Sequence, residues 1–433
     1  LQKAVLRGVW DGQKYSEIAE ECYRTEAYVR NLASELWKMF SRILGENINK
    51  SNIRSSLERS QSAYFLNYKN DSVNISNVNI CDNDLSSIIP KEQSPSNPKQ
   101  QQVDLSTAPD LNKIYDRTDE LKTLKNWIIQ ENCRLVSIIG LSGIGKTTLT
   151  RHLIQTLQPQ FEAIIWHSLC TYPTLEITLK NLLLFFSNQS LTELPASLHE
   201  QLSLLIEYLR TKHCLIILDD VQTLLNQGTL AGQYHPDFKN YSLLFKLIAE
   251  TPHQSCLILN SWELPQDIVT LTDDNAPIRC LKLPGLGSAA KEILHEKRLT
   301  DEEQWEVLIN TYQGNPLWLK IVATMIQDIF RGRVAEFLKY DNLCLGKEVT
   351  EILKQHFERL SEIEKTLILT LSQEKQPLAI AKLIETSQLP ARDVFNAILS
   401  LERRCLIDAE DQEQETCFKV LPIFRQSVLS NLG

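Results

Sequence analysis

Nine consecutive residues, Gly140-Leu141-Ser142-Gly143-Ile144-Gly145-Lys146-Thr147-Thr148, fit the pattern GxxxxGK[ST]. They follow the apolar run Arg134-Leu135-Val136-Ser137-Ile138-Ile139 and precede a helical stretch, the context in which that pattern has force. The chemistry implied is phosphate binding. Glycines let backbone N–H groups close around phosphate oxygens, and the start of the following helix adds its positive end. Lys146 is placed to pair with the β- and γ-phosphates, and the Thr147 hydroxyl to hold Mg²⁺. Gly140, Ser142, Gly143, Ile144, Gly145 and Thr148 complete the cradle. The alternative, an ordinary Gly-rich turn, is disfavoured by this context.

A second constellation lies downstream. Cys214-Leu215-Ile216-Ile217-Leu218-Asp219-Asp220 is an apolar strand ending in two carboxylates, the form of a Walker B segment. Asp219 is expected to orient Mg²⁺ through water, and Asp220 to position or activate an attacking water. Acids at strand ends are commonplace turn residues. The phosphate loop upstream, at a separation suited to a neighbouring strand, favours the functional reading. The catalytic candidates are thus Lys146 and Asp220, the metal candidates Thr147 and Asp219, and the cofactors ATP or ADP with Mg²⁺.

The elements that must carry these residues are legible as short apolar runs. Residues 134–139, Ala163-Ile164-Ile165-Trp166, Cys214 to Leu218 and Cys256-Leu257-Ile258-Leu259 read as strands of a parallel sheet covered by helices on both faces. Beyond Pro284 the pattern is helical to about residue 345. More helices follow, then two short strands, Cys405-Leu406-Ile407 and Cys417-Phe418-Lys419-Val420, around an acidic turn, which together suggest a winged helix.

At the other end, residues 1–60 read as short helices. Leu1, Val5, Leu6 and Val9 form one stripe, and Tyr15 to Cys22 a second helix with Ser16 as cap. Thr25 is positioned to cap a third, with Val29, Leu32, Leu36, Trp37, Phe40 and Ile43 at helical spacing until Gly45. The pair resembles a helix-turn-helix. Asn, Ser, Gln and Pro dominate residues 61–110, a composition that predicts a flexible polar linker. The expected division is 1–60, a helix-turn-helix-like module; 61–110, linker; 111–280, a P-loop nucleotide-binding domain; 281–345, a helical domain; and 346–433, a winged-helix domain. No repeat of 20 to 50 residues is present, which excludes a solenoid array within the chain.

Composition narrows the partners. With 45 Lys plus Arg against 54 Asp plus Glu, the 433 residues carry a formal charge of −9, which argues against a general polyanion binder. No run approaches the roughly 18 apolar residues of a spanning helix, so no membrane partner is expected. Ten scattered cysteines without a CxxC pair point to reduced thiols in a cytoplasm.

With these motifs in place, residues 111–433 resemble the NB-ARC signal-transduction ATPases, relatives of apoptotic and plant-immunity switches. Tyr115-Asp116-Arg117-Thr118-Asp119-Glu120-Leu121 stands where that family has a Gly-Arg-Glu-like motif contacting adenine. Arg117 carries over, with Asp116 in the glycine's place. Gly314-Asn315-Pro316-Leu317 matches the family's Gly-Leu-Pro-Leu motif, in which the proline, here Pro316, packs on adenine. The resemblance implies nucleotide-binding, helical and winged-helix domains that clamp ADP at rest, with ATP exchange or slow hydrolysis controlling assembly. Helix-turn-helix-like segments precede such modules in bacterial members, so a protein partner or a homo-oligomer is expected through residues 1–60.

Two departures stand out. Leu259-Asn260-Ser261-Trp262-Glu263 has Trp262 where the family usually has an arginine sensing the γ-phosphate. Val420-Leu421-Pro422 has Leu421 where the family tends to have a histidine holding the ADP β-phosphate; leucine cannot donate a side-chain hydrogen bond. Binding is expected to survive both losses. Turnover is expected well below the roughly 1–100 s⁻¹ of kinases.

Two other readings compete. The N-terminal helices could serve an ATP-dependent transcription regulator, but Thr25-Glu26-Ala27-Tyr28-Val29-Arg30-Asn31 brings one Arg and one Glu, fewer cations and amides than base readers use. DNA is therefore a less favoured partner than protein. The acidic stretch Asp408 to Glu415 would repel a phosphate backbone and is expected to leave its domain packed on the nucleotide domain. The other alternative is a hydrolysis-dead nucleotide-binding scaffold. Trp10, Trp37, Trp127, Trp166 and Trp318 are expected in the core. His356, in Gln355-His356-Phe357-Glu358-Arg359-Leu360, is expected on a half-solvated helix face with no chemistry.

Overall fold

In the computed structural model the described residues are 101–189, 193–272, 276–340, 347–412 and 415–432, together with Val9, 14–21, 25, 26, 29, 30, 33, 34 and 37 of the N-terminal stretch. The chain divides into two units, Leu1–Pro95 and Ser96–Gly433. Leu1, Val5, Leu6, Trp10, Leu32, Leu36, Phe40, Ile43 and the expected linker as far as residue 100 lie outside the described residues.

In the first unit, α1 spans Tyr15–Glu21. It opens with the Lys14 N–H donating to the Glu17 carboxylate at 2.7 Å. Ile18, Ala19, Val29, Ala33 and Trp37 are buried, the last three at intervals of four that put them on one face of a helix. The Trp37 indole donates to the Tyr15 hydroxyl at 3.1 Å. Arg30 donates to Glu26 at 2.6 and 2.9 Å.

The second unit is built on six parallel strands: β1 Gln102–Asp104, β2 Leu135–Ile139, β3 Ala163–Ser168, β4 Cys214–Asp219, β5 Cys256–Ser261 and β6 Ile278–Lys282, in the order β1-β3-β4-β5-β2-β6. Successive side chains of a strand point to opposite faces, so each continuous apolar run feeds two cores. Leu135, Ile165, Ile216, Leu218 and Leu259 lie on one face; Val136, Ile138, Ile164, Ile217 and Ile258 lie on the other. The helices in chain order are α2 Thr118–Lys125, α3 Lys146–Leu157, α4 Leu175–Phe186, α5 Leu198–Thr211, α6 Tyr241–Glu250 and α7 Gln266–Leu271. This is the α/β P-loop fold expected.

A helical region follows: α8 Ala290–Glu296, α9 Trp305–Thr311, α10 Pro316–Phe330 and α11 Val334–Phe337. The last segment holds α12 Lys347–Glu358, α13 Glu362–Gln373, the short strand β7 Leu378–Ala379, α14 Ile380–Ser387, α15 Ala391–Arg403, β8 Ile407–Gln412, β9 Glu415–Val420 and α16 Pro422–Ser427. β7, β9 and β8 form an antiparallel sheet. Its apolar residues join the core that lies on one face of the large sheet.

Four details differ from the sequence reading. β1 lies within residues 61–110, pairing Gln102–Asp104 with Ala163–Ile165; three residues at the edge of a sheet leave no hydrophobic run to read. The large sheet continues to Lys282 in β6, past the expected boundary at 280. β4 is not beside β2, because β5 lies between them; spacing along a chain fixes no strand order. The acidic stretch Asp408–Gln412 is strand rather than turn.

Candidate functional site

The loop between β2 and α3 owes its form to two glycines. Gly145, the residue before α3, has φ +106°, and Gly143 has φ +78°, both in the region where a side chain is costly. A Cβ on Gly143 would sit 2.6 Å from the Leu317 Cβ, so the start of α10 packs directly on the loop. Asn315 joins the two: its amide Nδ2 donates to the Ser142 carbonyl at 3.0 Å, and its Oδ1 accepts the N–H groups of Leu317 and Trp318 at 3.1 and 3.3 Å. One buried side chain thus caps α10 and pins the loop.

The expected phosphate-binding groups converge. Ser142, Gly143, Ile144, Gly145, Lys146, Thr147, Thr148, Asp219 and Asp220 line a single cavity of about 480 Å³, and Gly140 lies just behind it. The buried Lys146 ammonium donates to the Gly140 and Leu141 carbonyls at 2.9 and 3.0 Å. Burial lowers its pKa to about 8, against the opposing pull of Asp219. The Thr147 hydroxyl reaches the Asp219 carboxylate at 3.2 and 3.3 Å, although β4 is one strand removed. Burial, then the charge of Asp220, raises Asp219 to about 6. A buried carboxylate beside a hydroxyl is a hard-oxygen donor set that fits Mg²⁺, which takes few protein ligands and keeps water. Asp220, at φ +62°, accepts from Gln222 Nε2 at 3.0 Å and from the Ser168 hydroxyl at 3.4 Å.

Arg117 and Pro316 line the other end of the cavity with Tyr115 and Lys320. The buried Arg117 guanidinium donates to Glu120 at 2.7 Å, to the Ile144 carbonyl at 3.2 Å and to the Pro284 carbonyl at 2.8 Å. It braces the loop as well as facing the cavity. Lys113 and Lys320 approach the Tyr115 ring at 5.0 and 4.9 Å.

Trp262 does line the cavity. Leu421 is buried, and its N–H donates to the Leu406 carbonyl at 3.2 Å. His356 is where the sequence reading fails. It is 3% exposed rather than half-solvated. Its Nε2 accepts the Ser142 N–H at 3.4 Å, and its ring lies on Trp262 with centroids 4.4 Å apart. Burial, then the charges of Lys146, Arg359 and Arg404, pushes its pKa down to about 3, so the ring is neutral. The roles of Asn315 and His356 were not legible because neither belongs to a motif of the loop itself; Asn315 arrives at the start of α10 and His356 on α12.

Behind Trp262, Glu263 is buried between Arg359, at 2.5 Å, and Arg404, at 2.8 Å. Arg404 also reaches Glu364 at 3.0 Å. Two acids and two arginines therefore tie the end of β5 to the last segment, each charge met by an opposite one.

A Gly-rich loop from a parallel strand into a helix, with a hydroxyl and a carboxylate meeting beneath it, defines a P-loop nucleotide-binding protein. Residues 117–242 match the NB-ARC domain, and residues 1–60 match the N-terminal helix-turn-helix of vWA-MoxR associated proteins. The chain thus carries an NB-ARC domain and an N-terminal helix-turn-helix segment. An uncharacterised WD repeat-containing protein of Nostoc sp. is 39% identical over 321 residues, 71% of this chain and 26% of that protein. The Arabidopsis thaliana disease resistance proteins RPM1 and TAO1 are 30% and 25% identical over 96 and 270 residues; the matches cover 21% and 60% of this chain, and 10% and 21% of those proteins. The chain thus spans about a quarter or less of these relatives. Among solved structures, a signal-transduction ATPase with a tetratricopeptide repeat sensor from Pyrococcus horikoshii aligns at 19% identity and TM-score 0.39, over 75% of this chain and 43% of that one. A Walker-type ATPase of Pyrococcus abyssi aligns at 16% and TM-score 0.47, over 75% and 99%. Among the described residues no helix is long and apolar enough to cross a membrane.

Proposed function

We propose that this chain is an adenine-nucleotide-binding signalling switch, with ADP held in the arrangement described and ATP exchange or slow hydrolysis releasing it. The observation that carries the reading is the convergence of Lys146, Thr147, Asp219 and Asp220 on one cavity at the N-terminus of α3. Backbone N–H groups of Gly143 to Thr148 would take the phosphates, with Lys146 turning from the Gly140 and Leu141 carbonyls to meet them. Thr147 and Asp219 would hold Mg²⁺, which supplies charge neutralisation between phosphate oxygens. Arg117 and Pro316 would border the base.

Asp220 is the candidate for orienting water, its two oxygens already fixed by Gln222 and Ser168. Trp262 brings no cationic side chain to the cavity, so the developing negative charge of hydrolysis has less support and turnover is expected to be slow. The last segment is ion-paired to the nucleotide domain behind that cavity, so a ligand that moves one would move the other. In the N-terminal module, Arg30 is engaged by Glu26, which favours a protein partner or a second copy over DNA there. The test is to denature the purified full chain and chromatograph what it releases. ADP in near-stoichiometric amount supports the reading; an empty protein that also takes up no added ADP or ATP contradicts it.

A further inference from the structure

His356 lies outside every motif that defines the site, yet α12 delivers it to the phosphate loop. Phosphates in such a loop run from the helix N-terminus, where the α- and β-groups sit, toward the catalytic carboxylates, where the terminal one lies. At that far end the cavity is bounded by Ser142, Asp220, Gln222 and Trp262. His356 connects two of these: it accepts the Ser142 N–H at 3.4 Å and packs on the Trp262 ring, centroids 4.4 Å apart and planes tilted by 35°. The Trp262 backbone N–H in turn donates to Gln222 Oε1 at 3.3 Å, and Gln222 Nε2 donates to Asp220 at 3.0 Å. The contacts run unbroken from Ser142 to Asp220, with His356 and Gln222 buried and Ser142, Trp262 and Asp220 half-buried beside the cavity. Three residues on from His356, Arg359, directly after α12, is bonded to Glu263, the neighbour of Trp262, so α12 and the residue that follows it hold this wall at two points.

We propose that His356 is a positioning residue which, by holding Ser142 and Trp262, fixes a wall at the terminal-phosphate end of the cavity and so limits the docked form to a nucleoside diphosphate. A third phosphate must displace Trp262, and with it the histidine and the helix that carries it. The neutrality of the ring among Lys146, Arg359 and Arg404 fits its part as an acceptor. A triphosphate would thus be read as the undocking of α12, through a residue that need not touch the nucleotide. The proposal rests on the nucleotide-binding reading above.

The test is calorimetry on the full chain with Mg²⁺ and either ADP or a non-hydrolysable ATP analogue. Wild type is expected to bind ADP at least about tenfold more tightly than the analogue. His356→Ala and, independently, Trp262→Ala should each bring the two affinities to within about threefold, chiefly by tightening the analogue and leaving ADP nearly unchanged. A purely structural role would weaken both ligands alike and keep their ratio. ADP binding with no preference in wild type, or with an unchanged ratio in both variants, overturns the proposal and leaves nucleotide binding intact. Failure of wild type to bind either nucleotide removes the underlying reading as well.

Discussion

His356 shows how much one side chain's surroundings decide. Its sequence neighbours, Gln355, Phe357 and Glu358, describe an amphipathic helix surface and nothing more. Folding places the ring against Ser142 and Trp262 amid three cations, where protonation is resisted and the pKa falls from 6.5 to about 3. The sign follows from linkage. A base whose folded pKa is depressed stabilises the fold above its unfolded pKa, and that contribution is lost as pH falls from 6.5 toward 3. The loss is about 1.4 kcal/mol per pH unit, or roughly 2 kcal/mol by pH 5. Urea midpoints measured from pH 7 to 5 should therefore fall more steeply for wild type than for His356→Gln; equal slopes would contradict the buried, neutral ring. His253, pushed by burial down to about 4, contributes in the same direction and is common to both proteins.

At the scale of elements, the four central strands and the phosphate loop were legible because short, nearly continuous apolar runs are what a sheet buried on both faces demands, and two of them end in Gly140 and Asp219. Strand order was not, since β5 intervenes between the two motif-bearing strands by a topology that no local pattern encodes. β1, at three residues, carries no hydrophobic signal, and the buried ion cluster is invisible for a related reason. Glu263, Arg359, Glu364 and Arg404 look like solvated surface charges in the sequence and meet only when α12, α13 and α15 pack on β5. Arg404→Ala would leave Glu263 and Glu364 buried with less compensation. The expected cost is about 3–5 kcal/mol, against less than 1 kcal/mol for Arg30→Ala in the exposed pair with Glu26. Chemical denaturation of the two variants checks the contrast, and equal effects would show that the cluster does not hold these elements together.

For the whole molecule, the second unit is expected to behave as one folded body that includes β1. Its edge strand is hydrogen-bonded to β3, so the fragment that survives limited proteolysis should begin before Gln102, not near Leu111. N-terminal sequencing of the protected fragment decides this, and a start at or beyond Leu111 would show that β1 does not hold. The matches to the NB-ARC domain and to an N-terminal helix-turn-helix fall on the two parts that the motifs had separated, 117–242 and 1–60. What the whole does depends on whether the cavity above α3 takes a nucleotide. The most direct measurement is titration of Mg²⁺·ADP into wild type and Lys146→Ala by calorimetry. Removing the charge-assisted phosphate contact should cost roughly 1.5–3 kcal/mol, about a tenfold to hundredfold loss of affinity with the fold intact. Equal affinity of the two proteins for ADP would contradict the assignment of this cavity as the nucleotide site.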